Sequence, residues 1–203
     1  MKTAVFATLL ASAAAFAPAQ QASNKASALN AGAEPFADVP GVVAPLGYWD
    51  PLNLIADGDQ DNFNKFRESE IKHGRIAMLA VVGYLTTAAG IRFPGAESIP
   101  DGLKSFPALA DSADGLNVIG QMIFFALLAE RCNRDVTGDS AFPGDYRNGA
   151  LDFGWDKLDE ATQFKKRTIE LNQGRAAMMG IWGLVTHEMM GVSILPGGYL
   201  PGH

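Results

Sequence analysis

The chain has 203 residues, with 22 acidic side chains against 16 Lys and Arg and a formal net charge of −6. That is room for one domain, and no Lys/Arg-rich run offers a footprint for nucleic acid. A hydrophobic content of 48% does not by itself require a membrane, and the single cysteine, Cys132, excludes an internal disulfide and gives no zinc signature.

The first thirty residues read as an address. One positive charge at Lys2, a short apolar run to Ala15 and small residues at Ala13-Ala14-Ala15 form a signal peptide over about 1–15, too short to span a bilayer. Residues 16–30 hold Ser23, Ser27 and Lys25, and no acidic residue precedes Glu34, which is the composition of a transit segment. On composition alone a plain secretory signal remains an alternative. The Phe16 that follows Ala15 resembles the junction of the bipartite presequence used by algae with secondary red plastids. The expected organisation is a plastid-targeting presequence over 1–30 and one folded domain over 31–203.

An internal repeat organises that domain. Lys65-x-Arg67-x-x-Glu70-x-x-x-Gly74-Arg75-x-Ala77-Met78 returns as Lys165-x-Arg167-x-x-Glu170-x-x-x-Gly174-Arg175-x-Ala177-Met178, and Gly83 and Thr86 return as Gly183 and Thr186. Nine matches in one register predict two equivalent helices with a third between them. Uncharged runs begin at Ile76, Gly115 and Ala176, each shorter than the roughly 20 residues a span needs. Helices over 62–91, 115–133 and 161–191 make up the difference if the charged half of each repeat faces inward. The predicted fold is an all-α membrane protein of three transmembrane helices, the first and third related by a pseudo-twofold axis and crossing. Trp49-Asp50-Pro51-Leu52 and Trp155-Asp156-Lys157-Leu158 precede the repeats as related loops. The Asp-Pro pair reads as a chain turn and helix start, and the connectors 93–114 and 133–160 as surface loops.

Glu70 and Arg75 lie about 140° apart around a helix axis, so they do not pair within one helix. Unpaired, each charge costs about 2.5–3.5 kcal/mol at membrane depth. Crossing the two repeats lets Glu70 meet Arg175 and Glu170 meet Arg75, with Gly74, Ala77, Gly174 and Ala177 admitting close backbone approach. A neutralised carboxylate keeps lone pairs that can ligate a hard metal. His73, Gln173, Gln121 and His187 occur singly, never as a three- or four-donor cage. One donor per site fits a magnesium whose other ligands belong to a macrocycle, as in chlorophyll. Each donor has a plainer reading. Glu70 and Glu170 serve as structural ion pairs, His73 as a satisfied core histidine, Gln121 as an interhelical hydrogen bond and Glu130 as a helix-end charge. The methionines read as packing material.

The Glu70-x-x-His73-x-Arg75 form resembles the chlorophyll a/b-binding superfamily of light-harvesting proteins. The run from Phe142-Pro143-Gly144-Asp145-Tyr146 through Phe153-Gly154-Trp155-Asp156 to Glu170-x-x-Gln173-Gly174-Arg175 is similar to its fucoxanthin chlorophyll a/c-binding members. The resemblance implies axial magnesium ligands at Glu70, His73, Glu170, Gln173, Gln121 and His187, with Arg75 and Arg175 as cross-helix partners. It implies carotenoid ends received by Trp49-Asp50 and Trp155-Asp156. Green-lineage members carry Asn where this chain has Gln173, and Glu130 does not match their spacing. Implied cofactors are chlorophyll a, chlorophyll c, fucoxanthin, diadinoxanthin and lipid. Implied partners are the thylakoid membrane, other antenna subunits and photosystem I or II, and the implied function is light harvesting without catalysis. Alternatives are a photoprotective member that dissipates excitation and a pigment-free membrane adaptor. A metal-dependent hydrolase built on Glu70, His73, Glu170 and His187 fails because each Glu is neutralised by an Arg.

Overall fold

A computed structural model describes residues 36–55, 58–136, 140–148 and 153–192. The presequence expected over 1–30 lies outside the described residues. The described elements of the unit that begins at Asp38 are helical. Helix α1 spans Gln60–Ala88, α2 Ser105–Ala110, α3 Ala113–Cys132 and α4 Glu160–Met190. Single 3₁₀ turns sit at Gly102–Lys104 and Trp155–Lys157.

Local chemistry sets the helix ends. Asp59 accepts hydrogen bonds from the Asp61 and Asn62 amides to start α1, Ser112 accepts from the Gly115 amide for α3, and Asp159 accepts from the Thr162 amide for α4. These are ordinary N-caps, each satisfying donors the first turn leaves open. Asp50 is therefore not the helix start: its carboxylate accepts from the Leu54 and Ile55 amides and closes a turn well upstream. Helix α4 stops where Gly191 takes φ +67°, a conformation that costs glycine little. The connector 93–114 is not all loop. Arg92 pairs with Asp101 and also donates to the Thr87 carbonyl at 2.7 Å. Glu188 accepts the Leu103 amide at 2.7 Å, which ties the 3₁₀ turn to the far end of α4.

Helices α1 and α4 form the main packed pair, and they touch backbone to backbone. A Cβ built on Gly74 would stand 3.0 Å from the Gly174 Cα, and one built on Gly174 equally close to Gly74. Phe63, Ile71, Ala77, Leu171 and Leu184 are the buried apolar residues among those described. So small a core leaves much apolar surface outward, including Leu79, Val82, Met179 and Trp182 on the paired helices. Helix α3 packs on short α2 and presents Ile123, Phe124, Phe125 and Leu127 outward. Among the described residues α3 is the helix whose length and composition suffice to cross a membrane. Cys132, at its end, is exposed.

The Gly74 contact yields a paired expectation. Gly74→Ala forces backbone against backbone, where no side chain can swing aside, and should cost about 1–3 kcal/mol. Gly83 has open space where its Cβ would go, so Gly83→Ala should be neutral or stabilising by up to about 1 kcal/mol. Thermal denaturation of the two variants beside the parent checks the contrast.

Candidate functional site

The crossing of α1 and α4 carries two reciprocal ion pairs. Arg175 Nε donates to Glu70 Oε1 at 2.7 Å, and Arg75 Nε donates to Glu170 Oε1 at 2.7 Å. The partners are across the crossing, as the angular separation along one helix requires. Each arginine also reaches a loop. Arg175 Nη1 donates to the Gly41 carbonyl at 2.6 Å and Arg75 Nη2 to the Gly144 carbonyl at 3.2 Å. Gly41 and Gly144 take matching φ of +90° and +88°. A Cβ on either would press on the equivalent aliphatic side chain, Leu171 for Gly41 and Ile71 for Gly144. The duplication thus extends to Pro40-Gly41 and Pro143-Gly144, which the repeat reading missed because their spacing is 103 residues and not 100. The shared Pro-Gly dipeptide was the available signal.

A second contact was also missed. Arg67 Nη1 donates to Glu70 Oε2 at 2.8 Å, one turn apart on the same helix. Both Glu70 oxygens are therefore engaged, one across the crossing and one along α1. Glu170 has its Oε1 taken by Arg75, and no protein donor to its Oε2 is found among the described residues.

Of the remaining candidate ligands, His73, Gln173 and Gln121 face outward singly. His73 is exposed, and its Nδ1 lies 2.8 Å from the Ser69 carbonyl. That contact fixes the proton on Nδ1 and leaves Nε2 as a lone-pair donor pointing off the helix, the orientation a metal-binding imidazole needs. Gln173 and Gln121 are exposed on α4 and α3. His187 has a buried Nδ1 without a partner, an unsatisfied group of the kind a bound molecule completes. Among the described residues no three of His, Cys, Asp and Glu converge, so each donor stands alone. Glu130 does not: it accepts Lys72 Nζ at 2.9 Å, while Lys72 also meets Glu68 at 3.3 Å. That bridge joins the end of α3 to α1.

The two Trp-Asp loops differ in local structure. Trp49 is exposed beside the Asp50 turn. Trp155 packs on Phe142 with ring centroids 5.8 Å apart, under the Arg147 guanidinium. Asp156 accepts Arg147 Nη1 at 3.1 Å. Arg147 also grips Asp145 with two nitrogens, at 2.8 and 2.7 Å, and this guanidinium holds the Asp145 carboxyl below the usual carboxylate range. Between them, Tyr146 donates to Glu68 Oε1 at 2.7 Å. Burial, with the Glu68 acceptor added, pushes its phenol up to about 12.

Two crossed helices clasped by neutralised charges, with lone donors and apolar surface turned outward, define a helical scaffold for bound cofactors. The model of the family described as chlorophyll A-B binding protein matches residues 35–189. The chain is 54% identical over 203 residues to fucoxanthin-chlorophyll a-c binding protein D, chloroplastic, of Phaeodactylum tricornutum, covering 97% of this chain and all of that one. It is 53% identical to protein C of the same organism, covering 97% of this chain and all of its relative. To the fucoxanthin-chlorophyll a-c binding protein of Trieres chinensis it is 48% identical, with 96% and 97% covered. The chain belongs to the chlorophyll a/b-binding protein family.

Because Asp145 titrates lower folded than unfolded, its contribution to stability is complete above the unfolded carboxylate value near ~3.9 and is lost as pH falls through the folded one. Asp145→Asn should lower the thermal midpoint at neutral pH and flatten its decline below about pH 4. Melting curves of both proteins from pH 7 to pH 3 measure this.

Proposed function

We propose that this chain is a light-harvesting antenna protein of the plastid thylakoid membrane, binding chlorophyll a, chlorophyll c and fucoxanthin and passing excitation to a photosystem. Likeness along almost the whole chain to proteins named for those pigments carries the reading. The bound pigments absorb light and transfer excitation; the chain makes and breaks no bond and is not an enzyme. Residues 1–30 direct import and 31–203 form the pigment-binding domain.

Helices α1, α3 and α4 are read as three transmembrane spans. At 1.5 Å per residue, α3 is about 30 Å long and matches the hydrocarbon thickness, while α1 and α4 reach about 44 and 46 Å. Longer helices fit by tilting, which agrees with their crossing, and their charged halves take up the excess length. The reciprocal pairs at Gly74 and Gly174 support a pseudo-twofold axis through that point.

Glu70, His73, Glu170, Gln173, Gln121 and His187 are assigned as axial magnesium ligands. His73 is held in the required tautomer by Ser69, and the Glu170 Oε2 and His187 Nδ1 have no protein partner among the described residues. Arg75 and Arg175 pair with the two carboxylates and hold them in place. Trp49-Asp50 and Trp155-Asp156 receive the carotenoid ends, and diadinoxanthin and lipid complete the set. Other antenna subunits and photosystem I or II are the assigned partners.

Protein reconstituted with pigment extract should show chlorophyll a emission when fucoxanthin is excited, and emission that ignores carotenoid excitation would overturn the antenna reading. Within that complex His73→Leu should fold, hold one chlorophyll fewer and stay within about 1 kcal/mol of the parent, since it strands no charge. Glu70→Leu leaves Arg175 and Arg67 without their carboxylate. It should lose pigment and about 2–3 kcal/mol together, less than the roughly 3–5 kcal/mol of a fully buried pair because the site is half-exposed. Pigment stoichiometry and thermal midpoints measured side by side decide; equal stability losses would show that the pigment alone holds the helices.

A further inference from the structure

Helix α3 is tied to the crossed pair near its two ends. At one end Lys72 of α1 bridges to Glu130 at 2.9 Å. At the other, α3 packs on short α2, and α2 continues directly from the 3₁₀ turn Gly102–Lys104, which packs on both α1 and α4. The first amides of such a turn need an acceptor, and the local sequence does not supply one. Asp101 stands at the N-cap position but makes no side-chain cap bond, its carboxylate being paired with Arg92. The acceptor comes from another helix instead. Glu188, 85 residues on in α4, takes the Leu103 amide at 2.7 Å, and a carboxylate there also gains from the dipole of the turn. The fit is close: Gly102 has φ +61°, and a Cβ on it would overlap both Glu188 carboxylate oxygens. Tyr84 of α1 turns its hydroxyl toward the same carboxylate. One side chain of α4 thus meets the connector and α1 together.

We propose that Glu188 is a positioning residue whose carboxylate caps the connector from across the fold and so sets where α3 stands against the crossed pair. Arg92 holds the start of the connector to α1, through Asp101 and the Thr87 carbonyl. Glu188 supplies the hold on α4. Without it the turn loses its first-turn acceptor, short α2 loses its anchor on α4, and α3 is left to pivot about the Lys72–Glu130 bridge. Gln121 lies near the middle of α3, between the two ties. On the antenna reading it holds a chlorophyll, so the latch fixes the distance and angle of that pigment to those on α1 and α4. The latch stands without that reading, and only its effect on the pigment rests on it.

The test uses the full chain reconstituted with pigment extract in neutral detergent, and reads amide hydrogen exchange by mass spectrometry together with circular dichroism in the chlorophyll bands. Glu188→Ala should speed exchange over 102–110 at least about tenfold while the amides around Gly74 and Gly174 keep the parent rate. Gly102→Ala, which puts a methyl group where the carboxylate sits, should loosen the same segment from the other side. Glu188→Gln keeps an acceptor oxygen and should restore most of the protection. In Glu188→Ala the chlorophyll count should equal that of the parent while the dichroic bands change shape, because pigments have moved relative to one another. Parent-like exchange over 102–110 in Glu188→Ala overturns the latch, as does a uniform rise along α1 and α4, which marks a general loss of stability, or a Gln variant as loose as the Ala variant. A loosened connector with unchanged dichroic bands overturns the positioning of α3. Failure of the antenna reading is separate: it is seen as absent carotenoid-to-chlorophyll transfer in the parent, and the exchange contrast decides the latch either way.

Discussion

Everything in the domain is arranged around one contact, the approach of Gly74 to Gly174. Two helices this close leave no room for side chains between them, so the residues just beside the contact point across it. For Glu70, Arg75, Glu170 and Arg175 that placement makes reciprocal pairing the low-energy outcome. Neither pair forms within one helix, and an unpaired charge there is costly once lipid covers the surface. The pairs in turn position the loops, because each arginine has nitrogens left for a glycine carbonyl, Gly41 or Gly144. A carboxylate, a guanidinium and a turned loop form one unit, and the unit occurs twice.

This economy explains the small core. With only five buried apolar residues among those described, the helix pair has few of the side-chain contacts that hold an ordinary domain of this length. Charge pairs and backbone contact do that work inside. The large apolar side chains on α1, α3 and α4 are turned outward, where a soluble protein would not leave them. Such a chain is built to be finished by other molecules. Helix α3 makes the point most plainly: the Lys72–Glu130 bridge and short α2 are its main ties to the rest, and its outward face needs covering from elsewhere.

How far the sequence disclosed this depended on whether a feature repeats in register. The helices and the Glu–Arg partners follow from an offset of one hundred and from angles on a helix, so they were legible. Helix ends moved by one to three residues, because caps at Asp59, Ser112 and Asp159 and the positive φ at Gly90 and Gly191 outrank hydrophobic periodicity. The Pro-Gly loops escaped because insertions between loop and helix change the spacing without changing the contact. Arg67 beside Glu70 escaped for another reason. An i to i+3 pair is allowed on any helix, so spacing alone does not show that one carboxylate serves both Arg67 and the Arg175 across the crossing.

The same detail shows how a duplicated scaffold produces sites that are not duplicates. Glu70 carries Arg175 on one oxygen and Arg67 on the other, whereas the corresponding Arg167 stacks on Phe142 and leaves the Glu170 Oε2 without it. The Glu70 carboxylate therefore has a second guanidinium in direct contact, whereas Arg167 acts on Glu170 only at longer range. His73 and Gln173 add to the difference, an imidazole fixed by Ser69 against a longer, freer amide. Ligand type and nearby charge are the means by which a protein tunes a bound chromophore, and they act over short range where the dielectric is low. Where Glu70 and Glu170 hold pigments as proposed, the side chains that break the repeat would give the two positions different energies.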